Sequence, residues 1–160
     1  MSYVQKYTRN EYAFTPKAAL DFAFLIEKQA EQVYEKFGIR FPVIASSTMH
    51  FIGLAKEASL ADVAKALEIP HQLAAQRIKL LLELEMIQSR ADELDKRRTL
   101  YSFTKIGKRQ YLLLDRYLES ADKVFLKLNE SIGTNLLDSL LAAKRAFIDI
   151  SLEERILNEE

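Results

Sequence analysis

Residues 59–84, which read SLADVAKALEIPHQLAAQRIKLLLEL, decide the fold. Ser59 is a good helix N-cap, and the acidic Asp62 three positions later completes a capping box, so a short helix begins here and runs to Leu67. Only two residues then precede Pro70, which is favourable at the start of a second helix. Two short helices joined by so tight a turn are typical of a helix-turn-helix.

The second of these helices, predicted over residues 70–84, has one apolar and one polar face. The apolar face repeats at helical spacing through Ala74, Ile78, Leu81 and Leu82. The opposite face carries Gln72, Ala75, Gln76, Lys79 and Glu83. A glutamine can bond adenine bidentately in the major groove, and a lysine suits guanine or phosphate. Such a helix alone is more often a core helix with a solvated face, but the hairpin that follows it favours contact with DNA.

A charged hairpin comes next. Residues 88–90 and 99–103 read as two short strands around the segment ADELDKRR at 91–98. Three consecutive cations lie near its tip: Lys96, Arg97 and Arg98. They could form an ordinary solvated turn, yet arginine is favoured in narrow, electronegative minor grooves. The neighbouring carboxylates would repel phosphate unless they were paired, so we assign Asp95 to orienting Arg97 rather than to DNA.

Long helices are predicted on both sides of this region. Thr15-Pro16 reads as an N-cap followed by a proline in the first turn, and the helix that begins there ends before Gly38. Further helices are predicted over 46–56, from 105 to 129, and over 135–157. The fold class is therefore all-α with a small β wing, a winged helix-turn-helix flanked by N- and C-terminal helices. We expect one domain over 1–160, with a winged-helix lobe at 44–108 and a helical lobe made from 1–40 and 109–160.

Composition excludes several classes of function. The chain has no cysteine, which rules out disulfides, thiolate catalysis and cysteine metal sites. Its two histidines are too few for a histidine-rich metal site. We find no glycine-rich phosphate loop and no nucleophile–base pairing, so we expect neither an enzyme nor a cofactor. No apolar run approaches a membrane span, and the first residues lack the apolar block of a signal peptide, so a cytoplasmic protein is expected.

Charge is balanced overall but unevenly distributed. The 23 basic and 23 acidic residues give a net charge of zero, which is not the composition of a strongly basic polyanion binder. Basic residues are in excess in the middle third of the chain, and acidic residues are in excess in its last third. This distribution indicates a basic face on the helix-turn-helix and hairpin.

Residues 59–108 resemble the MarR family of bacterial transcriptional regulators. Val63-Ala64 matches a Leu-Ala-like pair in the first helix of the family's helix-turn-helix. The run at 95–98 is similar to the wing signature Asp-x-Arg, and the run at 103–108 is similar to the Leu-Thr-x-x-Gly that closes the wing. Two positions depart from the family pattern: Glu85 stands where glycine is frequent, and Gln76 stands where arginine or a similar base reader is common.

The resemblance implies a homodimer in which the first, fifth and sixth helices interlock. It places one recognition helix per subunit in the major groove of double-stranded DNA, Arg97 in the minor groove, and Asp95 as the acidic partner that holds the wing tip. The implied function is a sequence-specific DNA-binding transcription regulator, a repressor that binds a pseudo-palindromic operator. The candidate DNA-binding residues are His71, Gln72, Ala75, Gln76, Lys79, Arg90, Asp95, Lys96, Arg97, Arg98 and Lys105.

The resemblance also implies release by a small aromatic or phenolic effector held between the helical arms and the winged helix. Arg40, Phe41 and His50 are candidates for this pocket by location only, and a buried, satisfied histidine is the more ordinary reading of His50. Two alternatives stay open: a winged-helix adaptor that binds another protein, and a ligand-binding dimer that does not bind DNA. Alanine at Arg97 separates the adaptor from the DNA-binding protein, because only the DNA complex should weaken.

Overall fold

Helices account for most of the computed structural model, which describes Lys6 and residues 11–159. The helices are α1 (Thr15–Phe37), α2 (Ser46–Ala55), α3 (Leu60–Ala66), α4 (His71–Glu83), α5 (Lys105–Ile132), α6 (Leu136–Asp149) and α7 (Leu152–Leu157). The strands are β1 (Glu57–Ser59), β2 (Ile87–Ala91) and β3 (Thr99–Phe103), and short 3₁₀ turns cover Glu11–Phe14 and Val43–Ala45. The chain divides into one unit up to Tyr117 and another from Leu118 onward. The first residues of the predicted N-terminal arm, 1–5 and 7–10, lie outside the described part.

The predicted fold class is confirmed, with one strand added. The sequence predicts a two-stranded hairpin, whereas the structure has a three-stranded antiparallel sheet in the order β1-β3-β2. In its register, Ser59 pairs with Leu100, and Ile87 pairs with Phe103. The extra strand β1 is only three residues long, which is too short to show an alternating pattern in the sequence.

The core of the first unit lies between α2, the helix-turn-helix and the start of α5. Met49, Ile52, Val63, Leu81 and Leu114 are all fully buried there. Of the apolar face predicted for α4, Ala74, Ile78 and Leu81 are at most 3% exposed, whereas Leu82 is only half-buried. Helix α2 ends at Ala55, one residue before its predicted end, and the Ala55 side chain is exposed.

The start and the end of α1 differ in how well the sequence predicts them. Gly38 ends the helix in a left-handed conformation with φ of 74°, as its glycine suggests. The N-cap predicted at Thr15 is wrong, because this residue is the first of the helix, and its hydroxyl donates to the carbonyl of Tyr12 at 2.7 Å.

A set of short contacts fastens the first turn of α5 to the end of the helix-turn-helix. The Thr104 amide donates to the Met86 carbonyl at 3.1 Å, and the Thr104 hydroxyl donates to the Glu85 carbonyl at 2.6 Å. The same hydroxyl oxygen accepts the Gly107 amide at 3.0 Å, so it caps the helix. A Cβ on Gly107 would lie 1.8 Å from the Met86 oxygen, so this approach requires glycine. The Thr-x-x-Gly motif therefore joins α5 to the start of β2.

Gln110 joins α5 to the turn that follows α1. Its side chain is buried, its Oε1 accepts the Arg40 amide at 2.7 Å, and its Nε2 donates to the Gly38 carbonyl at 3.1 Å. Next to this contact, Tyr34 packs edge-on against Phe41 and Tyr117. Burial raises the pKa of Tyr34 to about 12, so its hydroxyl is protonated at neutral pH and remains hydrogen-bonded with Ser46.

The C-terminal part of the chain departs from the prediction of one helix over 135–157. Ile150 is extended between α6 and α7, and the Ser151 hydroxyl accepts the amide of Glu154 at 3.2 Å as the N-cap of α7. In this unit, large apolar side chains of α6 and α7 are exposed, among them Leu137, Leu140, Leu141, Phe147, Ile148 and Ile156. No helix in the described part of the chain is long and apolar enough to cross a membrane.

Both helices of the helix-turn-helix end in a Schellman motif whose left-handed residue is a glutamate. At the end of α4, Glu85 has φ of 55°, its amide donates to the Leu82 carbonyl at 3.0 Å, and the Met86 amide donates to the Leu81 carbonyl at 2.9 Å. At the end of α3, Glu68 has φ of 51° and takes the same role. The position where the MarR family often has glycine therefore keeps the conformation that glycine favours.

Glu85→Gly is therefore expected to stabilise the protein. The left-handed conformation costs a residue with a Cβ about 1–2 kcal/mol, and glycine avoids this cost. Part of the resulting stabilisation is lost because glycine makes the unfolded chain more flexible. A net increase of about 0.5–1 kcal/mol in the free energy of unfolding should appear in urea denaturation. Glu85→Ala serves as the control, since it removes the same carboxylate and keeps the Cβ. If alanine stabilises as much as glycine, the charge and not the backbone is responsible.

Candidate nucleic-acid interface

The outward face of α4 presents the side chains that the sequence predicts there. His71, Gln72, Ala75, Gln76 and Lys79 are all exposed. The Lys79 ammonium lies 3.8 Å from the Glu83 carboxylate one turn further along, which is a weak surface pair. Both glutamine amides are thus available to a ligand that lies along this helix.

Arg77, next to this face, is a structural residue that the sequence does not reveal. Its guanidinium donates from Nη1 to the Ser47 hydroxyl at 3.3 Å, which ties α4 to the first turn of α2. The buried Nε has no hydrogen-bond partner among the described residues.

The wing tip is ordered by its own aspartates. The Asp92 Oδ1 accepts the Leu94 amide, and the Asp95 Oδ1 accepts the Arg97 amide, both at 3.0 Å. The Arg98 amide donates to the Asp95 carbonyl at 2.9 Å, and the Asp92 amide donates to the Arg98 carbonyl at 2.8 Å. The prediction that Asp95 orients Arg97 needs correction in one respect, because the carboxylate holds the Arg97 backbone and forms no ion pair with the guanidinium.

Two of the predicted wing arginines are engaged by carboxylates outside the hairpin. Arg90 forms a bidentate pair with Glu57 on β1, from Nε at 2.8 Å and from Nη2 at 2.6 Å. The Arg90 hydrogen bonds lower the pKa of Glu57 below its ordinary value. Arg98 donates from Nη2 to the Asp62 carboxylate at the start of α3.

Lys96 and Arg97 differ from these arginines. Both are exposed, and neither has an ion pair within the described part of the chain. Arg97 lines an open hollow of about 380 Å³ between the wing and the helix-turn-helix, together with Leu60 of α3, His71 of α4 and Tyr101 of β3. The wing and the first turn of α4 therefore meet at one continuous surface.

Residues 41–98, which hold the helix-turn-helix and most of the wing, match the model of the MarR family. This segment is therefore similar to the winged helix-turn-helix of the MarR family. MarR regulators are DNA-binding transcription factors and not enzymes. No curated protein matches the chain.

Solved structures of MarR regulators share the fold. One is a MarR family transcription regulator with 17% identity and a TM-score of 0.70, matched over 89% of this chain and 93% of that chain. Another is a mutant of MepR from S. aureus bound to an oligodeoxyribonucleotide, with 20% identity, a TM-score of 0.51, and coverage of 81% and 99%. A third is the heme sensor PefR from Streptococcus agalactiae in complex with heme, with 16% identity, a TM-score of 0.55, and coverage of 88% and 96%. At these identities the likeness establishes the fold.

Lys105, the remaining cation predicted to contact DNA, lies apart from the wing tip of this MarR-type fold. It is the first residue of α5, beyond the end of β3 opposite to the tip, and it is exposed. Its contact with phosphate stays a prediction.

The three residues predicted for an effector pocket have different surroundings. Phe41 is buried against Tyr34, with ring centroids 5.8 Å apart. Arg40 is exposed, and His50 is half-buried with its ring 6.4 Å from that of Tyr111. An effector pocket at these residues stays a prediction.

Glu57 and Asp62 are the residues of this interface that sequence reasoning did not assign to it. Asp62 was recognisable as a capping residue, but its second partner, Arg98, is 36 positions away. Glu57 and Arg90 are 33 positions apart. Neither pairing leaves a local signal in the sequence.

Proposed function

We propose that this chain is a dimeric, sequence-specific DNA-binding transcription regulator that represses by occupying a pseudo-palindromic operator. One observation carries the proposal: the exposed amides of α4 adjoin a wing with two unpaired cations, within a segment that matches the MarR family model. The MepR structure with an oligodeoxyribonucleotide supports it, since that protein has the same fold. A protein that acts on DNA in this way would be cytoplasmic in a bacterium.

Each part of the surface suits a different part of the duplex. Gln72 and Gln76 have the donor and acceptor pair that reads adenine in the major groove, and Lys79 suits guanine or phosphate. Arg97 has the chemistry favoured in a narrow minor groove. With α4 in the major groove, the adjoining wing would reach the neighbouring minor groove.

A dimer explains the apolar side chains left exposed in the C-terminal unit. Stripes of exposed leucine, isoleucine and phenylalanine on α6 and α7 are typical of a surface that another chain covers. A two-fold dimer would place two recognition helices about 34 Å apart, one helical turn of DNA. The winged-helix lobe at 44–108 and the helical lobe from 1–40 and 109–160 would then divide DNA binding and dimerisation between them.

Release by a small aromatic or phenolic effector would complete the mechanism. An effector that binds the conformer unable to span two major grooves lowers DNA affinity by shifting the population toward it. Arg40, Phe41 and His50 are our candidates for its pocket. The complex of PefR with heme supports effector binding by this fold.

Selection of the purified protein against a random duplex library, at two salt concentrations, tests the proposal. We expect an inverted repeat to be enriched by the wild type, and Arg97→Ala to reduce affinity about 10-fold because a groove contact of about 1–3 kcal/mol is lost. Lys28→Ala, which removes an exposed cation from α1, is the control and should behave as the wild type.

Absence of any enriched sequence at low salt would contradict the proposal. It would favour the adaptor, a reading supported by the zero net charge and by Gln76 at the position of a common base reader. Mass spectrometry of the same sample tests whether a co-purified ligand holds the protein in a conformer unable to bind DNA.

A further inference from the structure

We propose that Arg98 is a positioning residue that latches the wing to the helix-turn-helix through Asp62, and that it makes no contact with DNA. This proposal rests on the proposed function for its role in DNA binding, while the latch itself belongs to the free protein. It replaces the DNA contact that the sequence predicts for Arg98.

Asp62 is a fixed acceptor for the Arg98 guanidinium. Its Oδ2 accepts the Ser59 amide at 2.8 Å and the Ser59 hydroxyl at 2.7 Å, and its own amide donates to the Ser59 hydroxyl at 3.2 Å. These bonds form the capping box of α3, so residues outside the wing orient the carboxylate. The Ser59 hydrogen bonds, followed by Arg98, lower the pKa of Asp62 below its ordinary value. Asp62 is therefore ionised at neutral pH.

Arg98 lies between two carboxylates from different elements. Nη2 donates to Asp62 on α3, and Nη1 lies 3.9 Å from the Asp92 Oδ2 within the wing. The backbone of Arg98 is also held in the hairpin, through the amide of Asp92 and the carbonyl of Asp95. Both the side chain and the main chain thus fix the wing relative to α3.

The bidentate pair of Arg90 with Glu57 provides a second attachment, between β2 and β1, at the position where Arg90 pairs with Leu100 in the hairpin. Through Arg98 in the tip segment and Arg90 in β2, the wing is attached to the winged-helix body at two points. Adjacent Arg97 is held through its backbone, and its guanidinium has no ion pair with any residue that the structure describes.

The charges around Arg98 favour an attachment within the protein over a contact with DNA. A guanidinium between two carboxylates is already neutralised, and moving it to a phosphate would leave Asp62 unpaired. Affinity for DNA depends on salt through the number of phosphates that the protein neutralises. We therefore expect Arg97 to contribute to that salt dependence and Arg98 not to contribute.

The test compares Arg98→Ala with Arg97→Ala in the full chain, using a selected operator duplex or, without one, a random duplex at low salt. Arg97→Ala should reduce the slope of log affinity against log salt by about 0.9 for each wing that binds. Arg98→Ala should leave the slope unchanged and lower affinity about two- to five-fold, as expected for loss of an exposed ion pair that holds the wing in place. A slope that falls equally in both variants would overturn the proposal.

A double-mutant cycle with Asp62→Asn asks whether Arg98 acts through Asp62. The asparagine keeps an oxygen to accept from Ser59, and Arg98→Ala should have almost no further effect on affinity in this background. Additive losses would show that Arg98 acts on something else. Arg98→Lys keeps the charge and should restore part of the affinity.

Hydrogen exchange in the free protein separates this proposal from the proposed function. Arg98→Ala should speed exchange at the amides of Asp92, Leu94 and Arg97, whereas Arg97→Ala should not. If the wild type binds no duplex, the proposed function fails and this measurement still decides whether the latch exists. Unchanged exchange in Arg98→Ala would refute the latch.

Discussion

Gly107→Ala is expected to lower the free energy of unfolding by about 3–5 kcal/mol, the largest effect that the structure predicts for a single methyl group. The added Cβ would lie 1.8 Å from the Met86 oxygen and 2.8 Å from its carbonyl carbon. Both are backbone atoms, and the same oxygen accepts the Thr104 amide, so neither side can move without breaking the junction between α5 and β2. The overlap of the added Cβ with the Met86 carbonyl would be removed only if α5 moved away from the sheet.

Urea denaturation followed by circular dichroism measures this loss, with Gly133→Ala as the matched control. Gly133 has φ of 69° and no atom within 4 Å of an added Cβ, so alanine there meets only the conformational cost of about 1–2 kcal/mol. A loss in Gly107→Ala no greater than in the control would show that α5 and β2 adjust freely, contrary to the geometry.

Leu141→Arg is expected to weaken the proposed dimer by about 100-fold or more. Leu137, Leu140 and Leu141 are exposed at helical spacing on α6, where a partner chain would bury them. A two-fold interface would receive one arginine from each copy, and each charge would be desolvated without a partner. Because a monomer offers one recognition helix in place of two, operator affinity should also fall about 10²–10⁴-fold.

Sedimentation equilibrium over a range of protein concentrations measures the change in association. Ala142→Arg is the control, since it adds the same charge to an exposed position of α6 off the leucine stripe. We expect the control to stay dimeric and to bind the operator as the wild type does. Equal mass for both variants would remove this face of α6 from the interface and with it the explanation of the exposed leucines.

Elements that depend on neighbouring residues were predictable from the sequence. The capping box of Ser59 and Asp62, the glycine at the end of α1 and the two faces of α4 are set by residues within a few positions of one another. The break between α6 and α7 was missed although it has a local signal, since Ser151 precedes Glu154 at the spacing of a capping box. The prediction of one helix over 135–157 followed the apolar periodicity of the surrounding residues and disregarded this cap.

Contacts between distant residues could not be predicted in the same way. Strand β1 exists because β3 provides a partner for three residues whose own pattern favours no strand. The arginines of the wing look alike in the sequence, and only the positions of Glu57 and Asp62 separate Arg90 and Arg98 from Arg97. A local reading therefore found the cations of the candidate site without separating the paired arginines from Arg97, which has no ion pair among the described residues.

The glutamates at the ends of α3 and α4 have a consequence for folding. Glu68 and Glu85 each adopt a conformation that their own chemistry disfavours, and each places a carboxylate at a helix C-terminus, where the helix dipole favours cations. The turns of the helix-turn-helix are therefore imposed by burial of the residues around them and not by local preference. Excised as a peptide, the helix-turn-helix would lose both turns, so it must fold together with the wing and the start of α5 as one cooperative unit.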